Sequence, residues 1–140
     1  MSPFSHFLHE LRIRLEIRQA ELAELVGYEQ SYISALEVGL KGPPTPEFIE
    51  RLIKALSLSI SEQQQLHDAV GASQRKLIID ADTPQDIYWL LKDLREQVTS
   101  LSPVQIRMMR DLLRMKGAIA EELPDPVRRL KRRRKEEATM

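Results

Sequence analysis

Three side chains between residues 30 and 35 have the chemistry needed to read the edges of base pairs. The amide of Gln30 can form two hydrogen bonds with N6 and N7 of adenine, and the hydroxyl of Ser31 can donate to guanine. The methyl group of Ala35 can contact the methyl group of thymine. Such contacts require an element that enters the major groove, so their use depends on the elements around them.

The stretch around these residues, 19–39, contains two short amphipathic segments separated by Gly27. Ala23 is small enough to lie where two helices cross closely. The apolar residues that could be buried between the helices are Leu22, Val26, Ile33 and Leu36. This pattern is typical of a helix-turn-helix, whose second helix lies in the major groove of DNA.

The ordered set Gln19, Leu22-Ala23, Gly27, Ile33-Ser34, Glu37 and Gly39 resembles the Cro and lambda-repressor-like (XRE) family of DNA-binding domains. The resemblance covers residues 4–71, or about half of the chain. It implies base contacts by Gln30, Ser31 and Ala35, at the start of the recognition helix and one turn further on. It implies a phosphate contact by Gln19, with Tyr32 and Lys41 as plausible further contacts. Arg18 is predicted to contact phosphate because of its own charge. The resemblance also implies a partly buried ion pair between Arg12 and Glu37 that braces the recognition helix.

Two residues depart from the family pattern. Arg18 stands where a capping Ser, Thr or Asn is common, so that helix start loses a cap but gains a cation near phosphate. Glu29 opens the recognition helix, where its carboxylate favours the helix dipole but repels phosphate, unless it accepts from a cytosine amino group. We expect repulsion that selects against some DNA sequences.

No set of residues in the sequence indicates catalysis. The three histidines, His6, His9 and His67, lack a neighbouring carboxylate or cysteine cluster, and His6 with His9 could bind a metal only adventitiously. The sequence contains no Gly-rich phosphate loop and no nucleophile setting. We therefore expect a protein that is not an enzyme and that has no cofactor and no metal site.

The composition indicates a globular protein with one domain, or one small domain and an appendage. The 140 residues are 42% hydrophobic and 30% charged, and no apolar run approaches the roughly 20 residues of a membrane helix. The N-terminus lacks the layout of a signal peptide, and the absence of cysteine excludes disulfides. We expect a cytoplasmic protein without a membrane partner, associated with the nucleoid when bound to DNA.

Charge is unevenly distributed although the net charge is zero. Residues 1–71 carry ten acidic and six basic residues, whereas residues 72–117 and 118–140 each have two more basic than acidic residues. A DNA-binding domain is expected to be basic, because phosphate neutralisation supplies most of the non-specific affinity. Either positive charge is concentrated on the docking face, or a dimer and the tail supply the missing attraction.

Capping signals divide the chain into predicted helices. A hydroxyl precedes a proline at Ser2-Pro3, Thr45-Pro46, Thr83-Pro84 and Ser102-Pro103, and Ser61 with Gln64 has capping-box spacing. Glycines suited to helix C-termini or turns are Gly27, Gly39, Gly42, Gly71 and Gly117. The predicted helices are 3–16, 19–26, 29–37, 46–56, 62–70, 84–99 and 103–117. Residues 76–80 could form a short strand, although a buried linker is the preferred interpretation.

These elements predict an all-α protein. The first five helices form a lambda-repressor-like DNA-binding domain (1–71), followed by a linker (72–82), a helical hairpin (83–117) and a basic flexible tail (118–140). The predicted core of the first domain consists of Phe4, Leu8, Leu15, Leu22, Val26, Ile33, Leu36, Phe48, Leu52 and Leu56.

The hairpin and the tail indicate how the chain could assemble on DNA. Two helices of this length cannot enclose a core, so the hairpin must pack on a partner, and a second copy is our first choice. Seven basic residues between Arg128 and Lys135 cannot bury themselves and are expected to be mobile.

Together these features predict a sequence-specific transcriptional regulator that binds double-stranded DNA. We expect a homodimeric repressor on a pseudo-palindromic operator. The alternative is a protein-interaction adaptor or antitoxin, in which the hairpin binds a partner protein and DNA binding is secondary or lost. The operator, the regulated genes and any small-molecule or protein effector cannot be inferred from these residues.

Overall fold

The computed structural model describes residues 1–115, and this part of the chain contains seven helices and no strand. The helices are α1 (Pro3–Arg14), α2 (Gln19–Val26), α3 (Gln30–Val38), α4 (Pro46–Leu56), α5 (Ile60–Ala72), α6 (Gln85–Gln97) and α7 (Pro103–Arg114). The all-α class is therefore confirmed, and each predicted helix is present. Residues 116 and 117, at the predicted end of the last helix, lie outside the described residues.

The apolar residues 76–80 form neither of the two structures expected for them. They adopt no regular secondary structure, and Leu77 and Ile78 are 73% and 88% exposed. The segment is therefore neither a strand nor a buried linker. It follows the last turn of α5 without a neighbouring strand with which it could pair.

Three of the predicted N-caps are confirmed. The side-chain oxygens of Ser2, Thr45 and Ser102 accept hydrogen bonds from backbone N–H groups in the first turns of α1, α4 and α7. At Ser102 the side chain of Gln105 closes a capping box. Each of these helices also has proline in its first turn, where the missing N–H costs no helical hydrogen bond.

Two of the predicted caps are wrong. Helix α5 is capped by Ser59, which forms a capping box with Glu62, and not by Ser61. A carboxylate accepts a stronger hydrogen bond than an amide, which favours this earlier start over one that uses Gln64. At α6 the N-cap position is occupied by Pro84 and no side chain caps the helix, so Thr83 does not act as predicted.

Left-handed glycines end the two helices of the central motif. Gly27 and Gly39 follow α2 and α3 with φ angles of 76° and 84°, a conformation in which a Cβ atom would be strained. Gly71, by contrast, lies inside α5 and does not end it. The C-cap of α5 is Ser73, whose hydroxyl donates to the carbonyl of Ala69 (2.6 Å) and accepts from the backbone N–H of Phe4 (2.9 Å).

The first five helices enclose one apolar core, in which α1 packs on α3 and α5 while α2 packs on α3 and α4. Eight of the ten predicted core residues are buried, and Leu56 is partly buried. The prediction for Leu15 is wrong, because 42% of its surface is exposed. Leu15 is the C-cap residue of α1, one position beyond the end of the helix. Further buried apolar residues are Leu11, Ala23, Ile49, Leu58 and Leu66.

The chain divides into two compact units between Leu77 and Ile78. In the second unit, α6 and α7 are joined by residues 98–102, and neither helix has a buried side chain. None of the helices within residues 1–115 is long and apolar enough to cross a membrane.

Candidate nucleic-acid interface

Helices α2 and α3 are joined by a tight turn of residues 27–29. The backbone N–H groups of Gly27 and Tyr28 both donate to the carbonyl of Ala23, at 2.9 and 3.0 Å, which closes the C-terminus of α2. Glu29 is the N-cap of α3, but its side chain makes no capping hydrogen bond. The first turn of α3 therefore keeps free backbone N–H groups, which attract an anion.

The three predicted base-contact residues lie along the first turns of α3. Gln30 and Ser31 are exposed, and Ala35 is partly exposed. Ser31 and Ala35 are four residues apart and so share one face of the helix. The only hydrogen bond from these side chains within the described residues runs from the hydroxyl of Ser31 to Glu29, at a long 3.4 Å. The structure thus leaves these groups available to a ligand, and their contacts with bases remain a prediction.

Glu37, on the buried side of α3, ties this helix to α1 and α2. It is only 5% exposed, and Arg12 donates to both of its carboxylate oxygens, at 2.6 Å from Nε and 3.2 Å from the terminal nitrogen. Nε2 of Gln19 donates to the same carboxylate at 2.7 Å, and Nδ1 of His9 lies 3.6 Å from it. The ion pair implied by the resemblance is present, and it belongs to a larger cluster.

Burial alone would raise the pKa of Glu37. Hydrogen bonds from Arg12 and Gln19, the positive charge of Arg12 and the nearby imidazole of His9 outweigh this effect and lower the pKa below its ordinary value. The carboxylate is therefore ionised at neutral pH, although it is shielded from water. His9 was not foreseen as a member of this cluster, but its position three residues before Arg12 places both on one face of α1.

A family comparison identifies this arrangement. Residues 3–66 match the family model described as "Helix-turn-helix domain". The first unit of this chain is a helix-turn-helix domain. Comparisons with curated proteins and with solved structures gave no match. Within the helix-turn-helix domain, α2 and α3 are the two helices of the motif, and α3 occupies the position of the recognition helix.

The predicted phosphate contacts of the helix-turn-helix domain differ in their surroundings. Arg18, the N-cap of α2, is exposed, as is Lys41. Gln19 begins α2, but its amide already donates to Glu37. Only the remaining N–H of this amide can donate to a phosphate while this bond is kept, because the amide oxygen and the phosphate oxygens are all acceptors.

Tyr32 lies in an aromatic cluster and not alone on the surface. Its ring stacks on Tyr28 (5.2 Å between centroids) and meets Phe48 edge-on (5.6 Å), and the ammonium group of Lys41 lies 5.5 Å from its centre. Burial and the neighbouring Tyr28 raise the pKa of Tyr32. The hydroxyl therefore stays protonated at neutral pH and can act as a donor, and the ring face attracts the ammonium group of Lys41.

Ion pairing separates the cations of the helix-turn-helix domain into two groups. Arg12, Arg14 and Arg51 pair with Glu37, Glu62 and Glu47, respectively. Arg18, Lys41 and Lys54 form no ion pair with any described residue. Two of the four predicted phosphate contacts, Arg18 and Lys41, are therefore cations that no described acidic residue neutralises.

Arg75 is a further cation of the first unit, and it contacts the C-terminus of α3 in a way that the sequence pattern did not indicate. It lies beyond α5, yet its guanidinium donates to the carbonyl of Gly39, at the C-terminus of α3. A cation is favoured there because helix C-termini carry partial negative charge. Nothing in the local sequence links residues 39 and 75, so only the packed domain reveals this contact.

Proposed function

We propose that this protein is a sequence-specific, non-enzymatic transcriptional regulator of the Cro and lambda-repressor-like type. It binds a pseudo-palindromic operator in double-stranded DNA as a homodimer and represses transcription by occluding the promoter. It acts in the cytoplasm, associated with the nucleoid. The observation that carries this proposal is the exposed start of α3, where Gln30 and Ser31 are accessible while the helix itself is anchored through Glu37.

Rigid anchoring matters because base recognition depends on placing side chains at fixed positions in the groove. The hydroxyl of Ser5 donates to the carbonyl of Leu36 at 2.6 Å, which ties the C-terminal turn of α3 to α1. Together with the Arg12–Glu37 pair, this bond holds α3 at its buried face and leaves the opposite face for DNA. In this proposal Gln30, Ser31 and Ala35 contact bases, and Arg18, Gln19, Tyr32 and Lys41 contact phosphates.

The charge of the domain is compatible with DNA binding if the unpaired cations face the backbone. Arg18 and Lys41 flank the motif in sequence, one before α2 and one after α3. Dimerisation doubles their number on an operator with two half-sites. The basic run from Arg128 to Lys135, which lies outside the described residues, would add further attraction.

Selection of bound fragments from random double-stranded DNA tests this function. A single enriched motif with two-fold symmetry is the expected result, and a gel shift on DNA upstream of the gene should show specific retardation. A variant with Gln30→Ala and Ser31→Ala serves as the matched control, because both side chains are exposed and their loss leaves the core intact. Equal enrichment of all sequences by the unaltered protein would contradict the proposal.

The exposed apolar residues of α6 and α7 favour a second function, that of an adaptor or antitoxin whose second unit binds another protein. Leu90, Met108 and Leu112 are each more than half exposed. Isolation of the protein from its native cells distinguishes the two functions. A stoichiometric partner protein together with no specific DNA retardation supports the adaptor, whereas specific retardation by the purified protein alone supports the regulator.

A further inference from the structure

The second unit carries two charged stripes, each beside an exposed apolar face. On α6, Asp86 and Asp93 are seven residues apart, and the neighbouring Leu90 is 51% exposed. Seven residues correspond to about two helical turns, so the two carboxylates lie on one side of the helix, about 10.5 Å apart along its axis. Helix α6 therefore presents an apolar face with an acidic edge.

Helix α7 presents the opposite charge in the same layout. Arg107 and Arg114 are also seven residues apart. They flank an apolar face formed by Val104, Met108 and Leu112, whose side chains are 58–61% exposed. Arg110 and Asp111 project from the same side of α7, so this edge is net basic, and Arg107 and Arg114 have the same spacing as Asp86 and Asp93 on α6.

Neither stripe is neutralised within residues 1–115. The ion pair recorded in the described part of this unit joins Lys92 to Glu96, and none involves Asp86, Asp93, Arg107 or Arg114. In paired helices, charged residues that flank an apolar face determine which helix binds and in which orientation. The two acidic and two basic residues here have this arrangement, with equal spacing on α6 and α7.

The covered side of each helix lies away from its charges. Leu91 on α6 and Met109 on α7 are the half-buried apolar residues of these two helices. Successive residues of a helix are rotated by 100°, so the α6 apolar face has Asp86 and Asp93 along one edge and Leu91 along the other. On α7, Met109 likewise lies on the side of the apolar face away from Arg107 and Arg114. The charged edges thus border the side of the unit that remains open.

We propose that α6 of one copy packs antiparallel on α7 of a second copy, with Asp86 facing Arg114 of the second copy and Asp93 facing Arg107 of the second copy. In an antiparallel pair, the edges on the same side of the two apolar faces meet, which brings the acidic edge against the basic one. A parallel pair would bring the basic edge of α7 against the other side of the α6 apolar face, where Arg95 projects, and would leave the acidic edge against apolar residues of α7. Because the two aspartates and the two arginines are both seven residues apart, the Asp86–Arg114 and Asp93–Arg107 pairs can form in the same register.

A second copy fits this surface because the surface is complementary to itself. One unit carries both the acidic and the basic edge, so a two-fold axis repeats the α6–α7 contact and forms four ion pairs in total. Two short helices cannot cover their own apolar faces, and a four-helix arrangement does so. The inference rests on the homodimer of the proposed function and names the surface that forms it.

Complementary charge reversal tests the interface in the full-length chain without DNA. One variant carries Asp86→Arg and Asp93→Arg, and the other carries Arg107→Asp and Arg114→Asp. Each variant alone places like charges opposite one another, so self-association measured by sedimentation is expected to weaken by at least about tenfold. An equimolar mixture restores every opposite-charge contact, so a heterodimer is expected.

The mixture also separates contacts between copies from contacts within one chain. Ion pairs within a single hairpin would be broken in both variants and could not be restored by mixing. The control variant Lys92→Glu with Glu96→Lys reverses an ion pair on another side of α6 and is expected to associate like the unaltered protein. If a reversed variant fails to fold by circular dichroism, the neutral forms Asp86→Asn, Asp93→Asn and Arg107→Gln, Arg114→Gln are expected to weaken association several-fold without unfolding.

Two results would overturn this inference. One is a monomeric unaltered protein at micromolar concentration, and the other is reversed variants that associate like the unaltered protein or that stay apart when mixed. Failure of this inference can be distinguished from failure of the proposed function. A dimer that has this interface but selects no DNA sequence would contradict the proposed function alone.

Discussion

Gln19 at the start of α2 and Glu37 in α3 are joined by a hydrogen bond of 2.7 Å, so the side chain expected at the DNA backbone also braces the recognition helix. The same carboxylate holds Arg12 of α1 at 2.6 Å. One buried residue therefore links α1 to both helices of the motif, α2 and α3. The consequences of removing base contacts, phosphate contacts and bracing contacts are expected to differ.

Replacement of Gln30 by alanine is expected to relax the preference for one base pair in each half-site. The lost bidentate contact corresponds to about 1–3 kcal/mol of discrimination. Gln19→Ala, in contrast, is expected to weaken binding to all sequences alike. Affinities for an operator and its single-base variants provide the measurement. An unchanged preference at every position in the Gln30 variant would show that this side chain does not read the operator.

Replacement of Arg12 by methionine is expected to destabilise the helix-turn-helix domain strongly. It leaves the carboxylate of Glu37 buried without its charged partner, a change that typically costs about 3–5 kcal/mol. The matched control is Arg14→Met, which removes a solvent-screened pair with Glu62 and is expected to destabilise the domain far less. Urea unfolding of both variants decides the point, and equal losses would refute the bracing role.

Stability is expected to fall in acid through Glu37. Because its pKa is lower in the folded than in the unfolded state, its ionised form contributes stability above the ordinary value of 4.5. This contribution is lost progressively as the pH falls from that value through the lower pKa of the folded state. Urea unfolding of the unaltered protein and of Glu37→Gln from pH 7 to pH 3 measures it. The difference in unfolding free energy between them is expected to shrink in acid, and a constant difference would contradict this.

Truncation after Leu77 is expected to give a folded monomer with much weaker operator binding, since one half-site supplies only half of the contacts. The end point matters, because Ser73 binds the backbone of Phe4 and Arg75 binds that of Gly39. A chain that ends at Gly71 loses both contacts and is expected to unfold at a lower temperature than one that ends at Leu77. Light scattering and thermal unfolding test these expectations, and a dimeric 1–77 fragment would locate the interface elsewhere.

Deletion of residues 127–140 is expected to flatten the salt dependence of DNA affinity. Each phosphate that a cation neutralises contributes about 0.9 to the slope of log affinity against log salt concentration, so a dimer would lose a few units. Base preference is expected to stay the same. Affinity measured from low to moderate salt with and without the segment tests this, and identical slopes would assign these cations another role, such as solubility or contact with an acidic protein.

The local sequence determined the helices and the motif because the signals for both are short-range. Apolar residues at helical spacing and serine–proline pairs predict where helices form, while Gly27 and Gly39 occupy positions that require left-handed backbone. Capping was less certain at α5, since Ser59 and Ser61 offer competing starts and only the reciprocal bond with Glu62 selects one.

Contacts between distant residues were decided only by the tertiary structure. Nothing in the spacing of the chain indicates that Gln19 bonds to Glu37, that Ser73 binds Phe4 or that Arg75 reaches the end of α3. Packing likewise decided that Leu15 is exposed while Leu66 is buried. Hydrogen bonds and burial of this kind depend on where whole helices lie, and that placement results from filling the shared core and not from any local pattern.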